Sequence, residues 1–353
     1  MDQKIQLERI KAPLLAWYLT HKRSLPWRLD PTPYHVWISE IMLQQTRIEA
    51  VIPYYERFLR ELPDVASLAA VDDDKLMKLW EGLGYYSRAR NLKKAALEIV
   101  EAHGGKLPEE AEALRKLSGI GDYTAGAIAS ISFGKPEPAV DGNVLRVIMR
   151  VLGKRDDIAL QSTKKETASA LREIYPEGEN AKNLTQAIME LGESVCIPNG
   201  EPKCAVCPLA DICKARANEE TDSIPVKSPK KPRRQEQKTV FLLTCRGKYA
   251  VCKRPSTGLL AKLWEFPNTE GHLTEEDALR YLQSLGLSPI GVTPCVDGVH
   301  IFTHIEWHMT GYTAECATPS ESFVWRTAEE LLSDYAIPSA FRVYTEYVKK
   351  NLK

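Results

Sequence analysis

The sequence predicts two domains of different class, an all-α region followed by an α+β region, and three observations carry that prediction. From the N-terminus to about Ala217 the apolar residues recur at helical spacing, as in Leu76, Leu79, Trp80 and Leu83, or Leu92, Ala95, Ala96 and Ile99. Residues 219–238, EETDSIPVKSPKKPRRQEQK, contain three prolines and many charges and offer little to bury, which is the composition of an exposed linker. Beyond them the pattern turns short and β-branched, with VFLLTC, YAVCKR and HIFTHIEWHMTGYTA, broken by helical stretches at residues 275–285 and 327–332. At 353 residues the chain can build two or three cores. No internal repeat interrupts this division.

Charge is balanced, with 47 basic and 47 acidic side chains, so a polyanion would have to be bound by a segregated patch. Residues 203–262 supply one, with 14 basic against 5 acidic residues. Such a run is often only a solvated linker. No apolar run reaches the length of a membrane span, and the charged first turn carries no secretory pattern. A soluble protein of a reducing compartment is expected.

Taken in chain order, the first chemically suggestive segment is PYHVWISEIMLQQT, a predicted helix that surrounds Glu40 with Val36, Trp37, Ile41 and Leu43. Helical glutamates usually face solvent. In an apolar setting, however, the carboxyl pKa rises and a proton stays available near neutrality. Gln44, Gln45 and Thr46 follow, with groups able to bond base edges or enter a base stack. GLGYYSRARN, residues 82–91, sets Tyr85 and Tyr86 beside Arg88 and Arg90, a pairing that suits stacking and phosphate contact as well as helix packing.

LSGIGDYTAGAIA, residues 117–129, places Gly119 and Gly121 in a tight turn between two helices. Backbone N–H groups in such a turn can approach a phosphate without base preference, although a plain helix-turn-helix core element reads the same way. In PAVDGNVLRVIMR, Asp141 precedes a helix and is by default its N-cap. A capped carboxylate can also stay ionised beside a developing positive charge.

Cys196, Cys204, Cys207 and Cys213 read C-x7-C-x2-C-x5-C and can bring four thiolates to one centre. One tight pair flanked by wider spacings favours an iron–sulfur cluster over a single zinc, with pairwise disulfides as a third reading. The other four cysteines, at positions 245, 252, 295 and 316, are expected in the core.

These elements in this order resemble the helix-hairpin-helix glycosylases of the endonuclease III superfamily, specifically the adenine-excising branch that carries a Nudix-like second domain. The likeness covers nearly the whole chain, because RPSTGLLAKLWEFP and HIFTHIEW resemble that second domain. It implies a six-helix barrel over about residues 26–135, an iron–sulfur subdomain from residues 1–25 and 136–218, and a recognition domain from residue 239 onward. It also implies a 4Fe-4S cluster on the four cysteines, with Glu40 protonating adenine and Asp141 stabilising the sugar cation.

Further roles follow from the same likeness. Strand-cleaving members carry lysine where this chain has Tyr123, and tyrosine forms no imine, so hydrolysis without strand scission is implied. Tyr123 is expected to hydrogen-bond near Asp141, and Asn143 to orient the reacting groups. Arg28 should contact the extruded adenine. Leu43, Gln45, Thr46, Leu83, Tyr85 and Arg88 should meet the DNA near the flipped base, Gly119 and Gly121 its phosphates, and Phe302, Thr303 and His304 the 8-oxoguanine opposite. Two departures stand out: the first cysteine spacing is seven residues rather than six, and Thr303 replaces a serine while keeping the hydroxyl.

The implied substrate is duplex DNA with adenine opposite 8-oxoguanine or guanine. The chain is expected to act as a monomer in the cytoplasm near the nucleoid, with repair or replication proteins as candidate partners. A Nudix hydrolase is the rival reading for the second domain, but residues 264–287 lack the glutamate-rich helix that would hold magnesium. His300, His304 and His308, expected on one strand face, lack carboxylate partners for a metal site.

Overall fold

The computed structural model describes residues 3–229 and 232–352. Two compact units result. One comprises the described residues up to Ala70 together with Arg90–Pro229, and the other comprises Val71–Ala89 with the described residues after Pro229.

The first unit is helical. Its Pro33–Leu43 helix starts where the Thr32 hydroxyl accepts the His35 N–H at 3.2 Å and Pro33 supplies a preset φ. Tyr34 and every residue from Val36 to Met42 are buried, so this helix is enclosed on all sides and carries Glu40 inside with it. Around it pack the Ile48–Glu61 helix, the Asp122–Ala127 helix and a π-helical turn at Ile128–Ser132. A second core gathers Leu7, Leu14, Ile148, Leu184, Ile188 and Leu191 from the N-terminal helices, the Gly142–Leu152 helix and the Glu179–Ser194 helix.

The hairpin joins the Ala111–Leu114 helix to the Asp122–Ala127 helix. Its turn needs glycine at position 119, where φ is +76° and a Cβ would meet the Asn91 Cβ at 2.6 Å. Glu98 pins the turn from the neighbouring Ser87–His103 helix, accepting the Ser118 N–H at 2.8 Å and its hydroxyl at 2.7 Å.

The second unit is a mixed sheet between helices. β1 (Arg234–Cys245) turns through residues 246–247 into antiparallel β2 (Lys248–Lys253), which pairs with β3 (Trp264–Glu265). β4 (Asn268–Glu270) pairs with β1, while β5 (Pro289–Pro294) and β6 (Gly298–Ile301) both pair with β7 (Ile305–Cys316), and β8 (Val324–Arg326) pairs with β2. β1 and β7 run parallel from Arg234↔Ile305 to Thr244↔Glu315. Alternation along β1 sends Val240 and Leu242 to one face, against Leu331, Phe341 and Tyr344, and Phe241 and Leu243 to the other, against Ala278 and Leu282.

Three expectations change here. β1 begins at Arg234, inside the segment read as linker, because β7 offers a partner register that composition does not reveal. Ile224, in the same segment, is fully buried and its carbonyl accepts from Arg150 at 2.7 Å. Residues 71–89, read as part of the helical region, pack with the sheet: Lys78 donates to the Leu332 carbonyl at 2.6 Å, and Glu81 accepts the Ile337 N–H at 3.0 Å. His300 lies on β6 and His308 on β7, so the three histidines share no strand.

At Gly126 a Cβ would stand 2.4 Å from the Pro138 carbonyl oxygen, which is backbone and cannot swing aside. Gly126→Ala should therefore destabilise the helical unit by about 1–3 kcal/mol, read as a lowered urea midpoint. An unchanged midpoint would mean that the two segments do not meet so closely.

Candidate active site

A cleft of about 1330 Å³ opens in the helical unit, lined by Arg28, Glu40, Gln44, Tyr123, Asp141, Asn143 and Glu190 among others. Glu40 comes from the enclosed Pro33–Leu43 helix and is 6% exposed. Burial pushes its carboxyl up to about 7, with the nearby Asp141 charge adding to the rise and the Tyr123 hydrogen bond and the Arg28 charge opposing it. The Tyr123 hydroxyl donates to Glu40 Oε2 at 2.6 Å. The bond expected near Asp141 is thus made to Glu40, and Tyr123 also feels the Asp141 charge. Tyr123 sits in the first turn of the Asp122–Ala127 helix, which packs on the helix of Glu40.

Asp141 caps the Gly142–Leu152 helix, accepting the Val144 N–H at 2.8 Å and the Asn143 side-chain amide at 2.9 Å. Burial raises its pKa too, while the hydrogen bonds from Val144 and Asn143 and the Arg146 charge pull it down. For two carboxyls sharing one cleft, the better-bonded one keeps the charge. The proton therefore rests on Glu40. Asn143 cannot turn freely, because Arg146 donates to its Oδ1 at 2.8 Å while also binding the Gly192 carbonyl at 2.7 Å.

Several residues here escaped the sequence reading. Glu190 is 1% exposed and accepts from Arg23, in a short two-point contact, and from Arg28 Nη2 at 2.7 Å. Its signal was an acid among Ala187, Ile188 and Leu191 on a buried helix, which demands a cation. Arg146 gave a similar signal among Val144, Val147 and Ile148.

Residues 38–177 match the family model described as HhH-GPD superfamily base excision DNA repair protein, and residues 239–347 match that of the NUDIX domain. The adenine DNA glycosylase of Homo sapiens is 32% identical over 408 residues, covering 96% of this chain and 74% of its own. That of Buchnera aphidicola subsp. Acyrthosiphon pisum is 30% identical over 349 residues, covering 96% and 97%.

The chain belongs to the adenine DNA glycosylase family.

Among solved structures, a thermostable thymine-DNA glycosylase aligns with a TM-score of 0.55 at 26% identity over 61% of this chain and 98% of its own. A non-covalent endonuclease III–DNA complex aligns at 0.52 and 25%, over 62% and 99%. Both coverages are near the share of this chain that lies in the helical unit, so the adenine DNA glycosylase family likeness adds the sheet-containing part.

The other expected positions of this family member fall in several settings. Leu43, Gln45 and Thr46 line the cleft, and Gln45 is exposed with φ +58°. In the second unit Tyr85 is 46% exposed with φ +47°, and its hydroxyl lies 2.9 Å from that of Thr303. Thr303 and His304 are exposed in the turn between β6 and β7, where the Phe302 N–H is held by the Ile305 carbonyl. Leu83 is buried. Arg88, expected to meet DNA, is 8% exposed, and its guanidinium donates to the Leu83 and Gly84 carbonyls at 3.0 and 3.1 Å. Gly121 is exposed at the start of the Asp122–Ala127 helix and lines the cleft.

The four clustered cysteines face one small cavity with Arg150 and Arg216 and form no disulfide. Among the described residues no group of three or more Cys, His, Asp and Glu side chains is gathered as the ligands of a metal ion would be. The donor set still fits a cluster. Burial raises the Cys207 thiol to about 11, and its three cysteine neighbours raise it further in sign, so four thiolates there require an added positive centre. Cys245 and Cys316 are buried elsewhere, and all eight thiols are free.

Between pH about 4.5 and about 7 the folded protein holds a proton on Glu40 that the unfolded chain has released, so this residue's contribution to stability declines as pH rises through that window. Glu40→Gln should remove the decline. Relative to the parent protein, the variant should gain up to about 3 kcal/mol between pH 5 and pH 8, measured by chemical unfolding at each pH. A constant difference across the range would place the carboxyl in water rather than in the protein interior.

Proposed function

We propose that the protein is a DNA glycosylase that hydrolyses the N-glycosidic bond of adenine mispaired with 8-oxoguanine or guanine, a base excision repair reaction. The observation that carries the reading is a buried, proton-holding glutamate and a helix-capping aspartate lining one cleft. Family membership supports it independently.

A base inside a duplex cannot reach this cleft, so the adenosine must leave the stack at a cost of a few kcal/mol. Gln45 and Tyr85 enter the gap, and backbone N–H groups of the hairpin turn at Gly119 and Gly121 hold phosphate. Glu40 then gives its proton to N7 of adenine. The C1′–N9 bond breaks with its electron pair going to the base, which leaves neutral. Positive charge on the sugar faces Asp141, oriented by Asn143. Water adds to C1′ and its proton restores the Glu40 carboxyl, leaving an abasic site. Tyr123 offers no amine, so no imine links protein to sugar and the strand stays intact.

Cys196, Cys204, Cys207 and Cys213 would hold the 4Fe-4S cluster, whose chemistry here is structural, tying the basic cysteine loop into a fixed shape for phosphate. The sheet-containing unit reads the opposite base through Phe302, Thr303 and His304 rather than hydrolysing a nucleotide.

Duplexes carrying A opposite 8-oxoguanine, A opposite G, or T opposite G, treated with alkali after incubation, test the reading. Breaks are expected only in the adenine strands, and only after alkali; cleavage of the thymine strand alone would overturn it. Because the acid must be protonated, the single-turnover rate should fall about tenfold per unit of pH above about 7. Glu40→Gln should cut the rate by about 10²–10⁴-fold while duplex affinity, measured by titration, holds.

A further inference from the structure

Glu190 is the least exposed charge in the cleft, and neither acid–base chemistry nor capping uses it. It stands on the Glu179–Ser194 helix, which packs against the Lys11–His21 helix, and it reaches Arg23 and Arg28 across 167 and 162 residues of chain. Arg28, 14% exposed, is fixed three ways: its Nη2 donates to Glu190 at 2.7 Å, its Nη1 donates to the Arg23 carbonyl at 3.1 Å, and its guanidinium lies 5.6 Å from the Tyr18 ring centre.

The charges around this group divide unevenly. Glu190 faces Arg23, Arg28 and Tyr18, and Arg23 is shared with Glu193 at 3.7 Å and feels Glu49. Tyr18 also feels Glu179. Arg28 therefore has Glu190 as its counter-charge, and Arg28 is also the cation that Glu40 feels, beside Tyr123 and Asp141.

We propose that Glu190 is a positioning residue that holds the Arg28 guanidinium at the cleft wall, facing an extruded base, and partly offsets the pull of its charge on Glu40. This rests on the reading of Glu40 as the acid. A full positive charge released beside Glu40 favours its carboxylate and strips the proton that the reaction needs. One side chain thus does two things at once, orienting a base contact and guarding a proton.

The test is the pH profile of single-turnover adenine excision by Glu190→Gln, which keeps the shape and an acceptor oxygen but removes the charge. The alkaline midpoint should drop by about 1 unit, so that the loss of rate is about fivefold greater at pH 8 than at pH 6. A uniform loss at all pH values, with the midpoint unmoved, would reduce Glu190 to a structural ion pair and overturn the proposal. Removing one partner of a buried pair can unfold a protein, so the double variant Arg28→Gln/Glu190→Gln is measured alongside. With Arg28 gone and Arg23 still facing Glu193 at 3.7 Å, its midpoint should return to the parental value or above, and a midpoint below it also overturns the proposal. Failure of the underlying reading looks different: Glu40→Gln would then excise adenine at the parental rate.

Discussion

Everything in the cleft follows from enclosing a carboxyl inside a helix that is buried on every side. Glu40 cannot be ionised cheaply there, and the surrounding groups are arranged around that fact. Tyr123 gives it one hydrogen bond, while Asp141 receives two close ones and the compensation of Arg146. The asymmetry of bonding sets two chemically similar acids apart, since Asp141 has more neighbours that favour its charge than Glu40 has. A deeper or a wetter setting would each fail, the first by leaving Asp141 neutral and the second by leaving Glu40 charged.

How much of this could be read from the chain depends on distance along it. The Pro33–Leu43 helix, the capping of the next helix by Asp141 and the hairpin turn were all legible, because each is decided by neighbours within a few residues. The resemblance named Glu40 and Asp141 together, and both do line one cleft, with the hydroxyl of Tyr123 on Glu40. What stayed hidden depends on remote partners. The charge of Glu190 is answered more than 160 residues away, and β1 takes its early start from a parallel strand some seventy residues downstream. Arg88 looks like a surface cation in sequence, and only the fold of the Leu83–Gly84 loop turns it inward.

The second unit teaches a similar lesson about boundaries. Composition marks a proline-rich break after residue 219, yet the packing boundary encloses residues 71–89 with the sheet, through Asp74, Lys78 and Glu81. A division by composition follows the covalent chain, whereas a division by contacts follows where polar groups find their partners. Tyr85 lies in this enclosed segment and meets Thr303 within the same unit, so the side chain expected in the base stack and the turn expected to read the opposite base are joined by a direct contact.

Gln45 and Tyr85 both hold a left-handed backbone, at φ +58° and +47°, a conformation that costs an ordinary residue about 1–2 kcal/mol. That cost is met when the chain folds, not when it encounters a duplex. If these two side chains probe a duplex as proposed above, they meet it already mounted on their kinks, and the pace is then set by how readily the DNA opens rather than by how readily the protein bends.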